Sequence, residues 1–175
     1  LSSNYLRVKF IDTVMKKFLV FFCITLISVG TWQCVKSEDN TCTPVPPQNE
    51  DAAMLQYISS HNIDATKDPS GLYYQIIDTG YGASPQQTSR IAVKYAGYLT
   101  DGTKFDELTQ VAPEPSNWWA LGGLIHGWQI GLPKIKKGGK IKMVIPSGLA
   151  YGCTKVGNIP ANSILVFDVE LVDFN

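Results

Sequence analysis

Apolar and polar residues alternate along several stretches of this chain, in the period-two pattern of half-buried β-strands. Strands are predicted over residues 72–77, 91–99, 141–145 and 164–173. Turn-forming residues separate them; at residues 100–103, for example, Gly102 is expected to take a positive φ. The pattern therefore predicts at least four antiparallel strands.

The stretch 119–132 breaks this alternation and follows a helical period instead. Trp128, Gly131 and Leu132 recur at the i, i+3, i+4 spacing of one helical face. Gly127 and Gly131 each cost about 1 kcal/mol relative to alanine in a helix. A helix that keeps both is expected to be short and to lie where another element approaches its backbone closely. Pro133 disfavours continuation of the helix.

A second helix is predicted before the first strand. Asn49 is the expected N-cap, with Glu50 and Asp51 in the first turn, where the helix dipole favours acidic side chains. The expected apolar face consists of Ala52, Leu55 and Ile58, and reaches Ile63 if the helix extends that far. Antiparallel strands, one short helix between them and a helix before them define an α+β fold.

Charge excludes one class of partner. The chain has 15 basic and 15 acidic residues, of which the first 34 residues hold four basic and one acidic; the remainder thus has 11 basic, 14 acidic and a net charge of −3. A nucleic-acid-binding protein needs a basic face, so no nucleic-acid partner is expected. Five lysines between positions 134 and 142 could form a basic patch, but a solvated hairpin is the favoured interpretation.

The first 34 residues are interpreted as upstream sequence plus an export signal. Residues 1–14 precede Met15, which two lysines follow as in a typical start. The apolar run at 18–30 is 13 residues long, shorter than the roughly 17–25 residues of a membrane span. A basic start followed by a short apolar core is typical of a signal peptide. The protein is therefore expected in the periplasm or cell envelope.

Cys34 leaves two alternatives open. It lies just beyond the apolar core, where bacterial lipoproteins carry a lipidated cysteine, although residues 30–33 match the usual small-residue pattern poorly. The other interpretation is a Cys34–Cys42 disulfide in an oxidising compartment. Cys153 has no nearby partner in the sequence. The mature chain is expected to begin near Cys34 and to continue through a proline-rich linker at 35–48.

Motifs of hydrolytic and metal chemistry are absent. The sequence contains no G-x-S-x-G, H-E-x-x-H or C-x-x-C motif and no phosphate-binding glycine loop after a strand. A Cys153–His126 nucleophile pair is conceivable, but no third residue is identified that would orient it, and an inert cysteine is favoured. No metal and no cofactor are therefore expected.

Aromatic residues lie near the predicted strand ends and loops, with the carboxylate of Asp106 among them. Tyr151 lies in a loop beside Gly152, where core residues are uncommon. Residues 71–174 resemble the FKBP-type peptidyl-prolyl cis/trans isomerases. Five runs carry this resemblance in the family's order: VKYAGYL at 93–99, DGTKFD at 101–106, LIHGW at 124–128, LAYG at 149–152 and IPANSILVFDVEL at 159–171.

The resemblance implies a twisted antiparallel sheet wrapped around one short helix, and a hydrophobic pocket for proline. Trp128 would form its floor. The implied catalytic residues are Tyr95, Phe105, Asp106, Trp128, Tyr151 and Phe167; the implied substrate-binding residues are Trp119, Leu124, Ile125 and Ile159. Within this set the Ile125 N–H would be offered to a substrate carbonyl, and Tyr151 would hydrogen-bond the peptide.

The resemblance implies isomerisation of X-Pro bonds, here in exported proteins, by a pocket that also binds macrocyclic inhibitors in this family. The alternative is a chaperone or peptide-binding module that uses the same pocket without catalysis. Trp119, Leu124 and Asn158 depart from the residues usual at these places, and the loop at 153–158 is short. These departures bear on substrate preference more than on activity. The predicted division is 1–34 upstream and signal, 35–48 linker, 49–70 helical extension and 71–175 isomerase domain.

Overall fold

The fold is an antiparallel sheet with a short helix on one face and a longer helix on the other. A computed structural model describes residues 42–111 and 118–175. Its elements are α1 (Pro47–Ser60), β1 (Thr66–Lys67), β2 (Tyr73–Asp78), β3 (Arg90–Leu99), β4 (Lys104–Leu108), β5 (Trp119–Ala120), α2 (His126–Gly131), β6 (Lys140–Ile145) and β7 (Leu165–Phe174). Short 3-10 turns cover Leu121–Gly123, Leu132–Lys134 and Ser147–Leu149.

The seven strands form one sheet in the order β1-β2-β6-β7-β3-β4, and β5 pairs with β3. Every pair is antiparallel. Strand β7 is central, because it pairs with both β3 and β6. The expected α+β class, with a sheet around one short helix, is confirmed, and the predicted strands lie within one residue of the observed ones.

Alternation along the strands divides the core between the two faces of the sheet. On β6, Met143 and Ile145 pack into the cluster that contains Trp128 and Leu132, on the α2 side. Val144, which lies between them, packs instead with Met54 and Ile58 of α1 and with Tyr73 and Val166. Helix α1 therefore covers the sheet face opposite α2.

The N-terminal helix differs from its sequence prediction in two respects. It begins at Pro47 after the N-cap Pro46, not at the predicted N-cap Asn49. Proline suits this position because its missing N–H would have no helical acceptor there. Leu55, predicted on the buried face, is 49% exposed, whereas Met54 is fully buried. The apolar spacing therefore identified the helix and correctly placed Ile58 on its buried face, but Ala52 and Leu55 are exposed, and Met54 and Glu50 are buried instead.

The cysteine pairing also differs from the disulfide alternative. Cys42 is bonded to Cys153, with their Cα atoms 5.5 Å apart, so a Cys34–Cys42 disulfide is wrong. The partners are 111 residues apart in sequence, and the spacing of cysteines gives no signal at that distance. The same bond leaves Cys153 without a thiol, which excludes the Cys153–His126 nucleophile pair. The lipid-anchor alternative concerns Cys34, which lies outside the described residues, as do the predicted signal and most of the predicted linker.

Three of the five lysines between positions 134 and 142 form ion pairs. Lys134 Nζ lies 2.8 Å from an Asp68 carboxylate oxygen, Lys137 lies 2.6 Å from Asp173, and Lys142 pairs with Asp168. Neutralised charges of this kind favour the solvated-hairpin interpretation over a basic patch. Among the described residues, no helix is both long and apolar enough to cross a membrane.

The two glycines of α2 lie directly on strand β6. A Cβ built on Gly127 would be 2.5 Å from Ile145 Cγ2, and one on Gly131 would overlap Met143 Sδ. The expected close approach to the helix backbone is therefore present. It brings α2 near enough to the sheet for Trp128 to be only 4% exposed.

Gly127→Ala should lower the free energy of unfolding by up to about 2 kcal/mol. Overpacking a core costs about 1–3 kcal/mol, and the gain of about 1 kcal/mol from better helix propensity offsets part of this cost. Urea denaturation measures it, with Gly123→Ala as the matched control because no atom lies within 4 Å of a Cβ built there. Equal stability of the two variants would contradict the close approach.

Asp68 fastens the β1–β2 turn to the segment after α2. The Lys134 ammonium, with the Ser70 N–H and hydroxyl, lowers the pKa of Asp68 to about 2. A depressed carboxyl pKa stabilises the fold above the unfolded pKa of about 3.9, and this contribution disappears as the pH falls toward 2.

Asp68→Asn should therefore cost about 1 kcal/mol at pH 7, a value reduced for the partial exposure of the pair. The difference from the unsubstituted protein should shrink as the pH falls from 4 toward 2. Urea unfolding at a series of pH values tests this, and Asp64→Asn, at an exposed position, is the control. A gap that stays constant down to pH 2 would refute the ion-pair origin.

Candidate active site

A cavity of about 600 Å³ opens on the α2 side of the sheet. Of the sequence-predicted site residues, those that line it are Tyr95, Phe105, Asp106, Trp119, Leu124, Ile125, Trp128, Tyr151 and Phe167. Ile159 is not among the lining residues; it is 5% exposed and packs in the core cluster. The cavity therefore gathers residues from β3, β4, β5, α2, β7 and two loops.

Trp128 forms the floor because α2 lies so close to the sheet. Its ring meets those of Tyr95 and Phe167 edge-on, with both centroid separations 5.3 Å. Phe167, on central strand β7, is also only 4% exposed. The Trp128 Nε1 atom is buried without a hydrogen-bond partner among the described residues. A buried unpaired donor costs free energy and is unusual outside functional sites.

Phe105 reaches the cavity through an irregularity in the pairing of β3 with β4. Gly97 pairs with Asp106 and Tyr98 with Lys104, so Phe105 has no partner across the ladder. Such a bulge re-aims side chains that would otherwise alternate between the two faces. It explains how the consecutive residues Phe105 and Asp106 both line one cavity.

Gly97 makes room for the aromatic wall. A Cβ built on it would lie 2.6 Å from the Phe105 ring and 2.8 Å from the Phe167 ring. Those two rings meet edge-on, with centroids 5.5 Å apart. A glycine inside a strand often marks such a close approach.

Polar groups are few and lie at the rim. The Tyr95 hydroxyl donates a hydrogen bond of 2.5 Å to Asp106 Oδ2, and Asp106 Oδ1 accepts one from the Glu107 N–H at 2.9 Å. Burial and, secondly, the bond to Asp106 raise the pKa of Tyr95; burial and the Asp106 charge raise the pKa of Tyr151. Both phenols therefore keep their protons at neutral pH and remain donors.

The mouth of the cavity is formed by the turn before α2. Gln129 Nε2 donates hydrogen bonds to the carbonyl oxygens of Leu124 at 2.7 Å and Gly122 at 3.1 Å, which fixes this turn. The Ile125 N–H has no acceptor among the described residues. It is therefore available to a bound carbonyl, and its role in substrate binding stays a prediction.

Some lining residues were missed by the sequence analysis: Arg90, Trp118, Ala120 and Gly123. The Arg90 guanidinium donates a 2.6 Å hydrogen bond to the Trp118 carbonyl, beside the pairing of Arg90 with Ala120. The pairing with Ala120 and the hydrogen bond to Trp118 both hold Arg90 at the cavity, and a two-residue strand such as β5 leaves no periodicity to detect. Trp119 of this strand is 38% exposed and extends the aromatic surface outward, 5.8 Å from Tyr95 between ring centroids.

Comparison with known proteins places this geometry in one family. Residues 82–172 match the family described as FKBP-type peptidyl-prolyl cis-trans isomerase. Over 104 residues the chain is 50% identical to the FKBP-type peptidyl-prolyl cis-trans isomerase FkpA of Escherichia coli, covering 59% of this chain and 38% of that protein. It is 42% identical over 106 residues to FK506-binding protein 4 of Dictyostelium discoideum, covering 59% and 28%. The chain thus spans well under half the length of these relatives.

Comparison with solved structures points to the same family. The crystal structure of Escherichia coli FkpA superposes with a TM-score of 0.63 at 39% identity, covering 74% of this chain and 61% of that one. A peptidyl-prolyl cis-trans isomerase from Pseudomonas syringae gives 0.61 at 29% identity, covering 76% and 98%. Because the family match extends over more than half of its residues, this chain belongs to the FKBP-type peptidyl-prolyl cis-trans isomerase family.

Proposed function

We propose that this chain catalyses cis–trans isomerisation of X-Pro peptide bonds, with the proline ring bound in the cavity above Trp128. The observation that carries the proposal is the enclosure of one cavity by Tyr95, Phe105, Trp128 and Phe167, with Asp106 and Tyr151 at its rim. The family match and the likeness to two solved isomerases support it.

The reaction suits such a site because it breaks no covalent bond. Rotation about an X-Pro bond meets a barrier of about 18–20 kcal/mol, which arises from amide resonance. The catalyst must bind the twisted amide more tightly than either planar form. The twisted amide has lost resonance and carries a less polar carbonyl, so a dry apolar cavity favours it. Aromatic walls provide that environment, and no nucleophile is needed.

Polar groups at the rim hold the substrate. The Ile125 N–H and the Tyr151 hydroxyl would donate to peptide carbonyls on either side of proline. Asp106, which holds the Tyr95 hydroxyl, would interact with the amide as its resonance fades. The aromatic walls thus bind the proline ring and exclude water, while the rim groups orient the peptide and Asp106 adds to the preference for the twisted state.

A proline-isomerisation assay on a set of X-Pro peptides tests the proposal directly. The full chain should accelerate approach to the cis–trans equilibrium for at least one residue X, and its tryptophan fluorescence should change on peptide binding, because three of its four tryptophans line the cavity. Uniformly uncatalysed rates with retained peptide binding would instead establish the non-catalytic peptide-binding module. If the chain neither catalyses isomerisation nor binds the peptides, both functions are ruled out.

The substrates we propose are exported proteins. The basic start and the 13-residue apolar run at 18–30 favour export. The Cys42–Cys153 bond supports an oxidising compartment, since disulfides persist there and are rare in the cytosol. Mass spectrometry of the mature protein tests this. If segment 18–30 is still present, the export proposal is wrong. If Cys34 is unmodified, only the lipid-anchor alternative is ruled out.

Macrocyclic ligands are proposed for the same cavity. The Dictyostelium relative is named as an FK506-binding protein, and a cavity of about 600 Å³ lies in the size range of small-molecule sites. FK506 should compete with X-Pro peptides for this chain. If FK506 and an X-Pro peptide bound at the same time, the FK506 site would lie outside this cavity.

A further inference from the structure

The loop that carries Tyr151 into the cavity is held from outside by a segment that precedes the family match. This segment, residues 42–50, is called the brace below. The family match begins at residue 82, so the brace lies outside the matched residues. Its two ends are attached to the two ends of the same loop.

The first attachment is covalent and lies just beyond Tyr151. Cys42 is bonded to Cys153, two residues after Tyr151. Asn162 strengthens this end, since its Nδ2 donates to the Thr43 carbonyl at 3.1 Å and its N–H donates to the Gly152 carbonyl at 2.7 Å. The loop immediately after Tyr151 therefore contacts the brace through a bond and a hydrogen-bond bridge.

The second attachment is a buried carboxylate before Tyr151. Glu50 is 7% exposed, and its Oε2 accepts a hydrogen bond from the Ser147 N–H at 2.8 Å. The Ser147 carbonyl in turn accepts hydrogen bonds from the N–H groups of Ala150 and Gly152. Glu50 thus fixes the residue on which the turn around Tyr151 closes. A charge-assisted bond of this kind is about twice as strong as a neutral one.

Between the attachments the brace contacts the loop at Gly148. A Cβ built on Gly148 would be 3.5 Å from the Val45 carbonyl oxygen and 3.9 Å from Pro47. These are ordinary packing distances, so no gap separates the two segments. The brace therefore also contacts the loop at Gly148, between the two attachments.

We propose that the brace positions Tyr151 in the candidate active site, with Glu50 as a positioning residue, so that reduction of Cys42–Cys153 loosens the loop and lowers isomerase activity. The activity part rests on the proposed function. A loop released at one end samples more conformations, and a small displacement of a positioned group costs activity.

Reduction needs a dithiol, and dithiothreitol is the probe. One of its thiolates attacks a Sγ atom, the S–S bond breaks, and the resulting mixed disulfide is resolved by the second thiol of the reagent. The products are two cysteine thiols and cyclic oxidised dithiothreitol, so two electrons and two protons pass to the protein. Cys42 is exposed and Cys153 half-buried, which leaves the bond accessible.

Amide hydrogen exchange tests the positioning without reference to activity. On reduction of the full chain, the amides of Gly152, Thr154 and Asn162 should exchange at least about tenfold faster, while those of β3 and β7 stay unchanged. The control is the double variant Cys42→Ser/Cys153→Ser, which should exchange fast with or without dithiothreitol. Unchanged exchange at residues 147–154 on reduction would overturn the proposal.

Substitutions at Glu50 test the second attachment. Glu50→Ala should speed exchange at residues 147–152 and lower kcat about fivefold with little change in KM, well below the roughly hundredfold that a 1 Å misplacement can cost. Glu50→Gln keeps an acceptor for the Ser147 N–H, so most of the slow exchange at residues 147–152 and most of the original kcat should be retained. Asp51→Ala is the matched control: it removes the next carboxylate of α1, which pairs with Lys67 and the Tyr73 hydroxyl, and should leave loop exchange unchanged.

The outcomes separate the two proposals. Faster exchange on reduction in a protein that is inactive in both states would support the brace and refute the proposed function. Active protein with equal exchange, kcat and KM before and after reduction would refute the brace alone. Equal effects of Glu50→Ala and Asp51→Ala would assign Glu50 a general stabilising role and overturn its positioning role.

Discussion

Phe105→Ala should raise KM for X-Pro peptides by about ten- to a hundredfold. The Phe105 ring walls the cavity and packs edge-on against Phe167 at 5.5 Å. Contact of a Phe side chain with a buried apolar group is worth about 1.5–3 kcal/mol, and each 1.4 kcal/mol is a factor of ten in affinity. Water would also enter through the opened wall, so kcat should fall as well. Steady-state kinetics over several X-Pro peptides measures both constants.

Stability must be measured on the same variant. Phe→Ala in a full core costs about 3–5 kcal/mol, and half-buried Phe105 should cost less. Phe105→Leu is the matched control, because it keeps an apolar side chain in the bulge and should retain more of the peptide affinity. If folded Phe105→Ala protein kept its original KM and kcat, the assignment of the cavity as the proline site would fail.

Asp106→Ala should act by a different route and lower kcat about tenfold with a smaller change in KM. Asp106 is an exposed rim residue whose carboxylate accepts a hydrogen bond from the Tyr95 hydroxyl. Its loss frees that hydroxyl and removes the negative charge beside the rotating amide, whereas the aromatic walls that bind proline remain. A change confined to turnover identifies an interaction made mainly in the transition state.

Two comparisons distinguish this role from a structural one. Asp101→Ala, in the same hairpin, removes a carboxylate that accepts the Thr103 N–H at 2.8 Å and should leave kcat unchanged. A double-mutant cycle with Tyr95→Phe should be non-additive if Asp106 works through the hydroxyl. Full turnover of a folded Asp106→Ala protein on every peptide would exclude Asp106 from the mechanism.

The local sequence pattern was sufficient to predict most strands of the sheet and the helix α2. Alternation located the strands because one face of each is buried against α2, and paired glycines located the helix because only they permit its approach to Ile145 and Met143. The site itself came from the resemblance to a known family. No periodicity brings Trp128, Tyr151 and Phe167 together, since they lie on a helix, a loop and a strand.

What escaped prediction depends on contacts between distant residues. Without the bulge at Gly97 and Tyr98, alternation would send Phe105 and Asp106 to opposite faces. The position of Glu50 in the sequence is that of an acidic residue in the first turn of a helix, which is usually exposed. Its side chain is instead buried against Ser147, 97 residues later. Arg90 ends a turn in sequence but lines the cavity through its pairing with β5.

The central position of β7 has a consequence for how the protein is made. Strand β3 pairs along nearly its whole length with β7, from Ile91 opposite Phe174 to Leu99 opposite Leu165. During synthesis, β2, β3, β4 and β6 emerge before the strand that joins them. Until β7 arrives, the sheet is two separate pieces with unpaired edges, and such edges are prone to aggregation. Pairing across this distance in sequence also slows folding. We expect the unfolded chain to depend on chaperones until residues 165–174 are available to pair, and the cavity to form when β7 joins the sheet and Phe167 completes its wall.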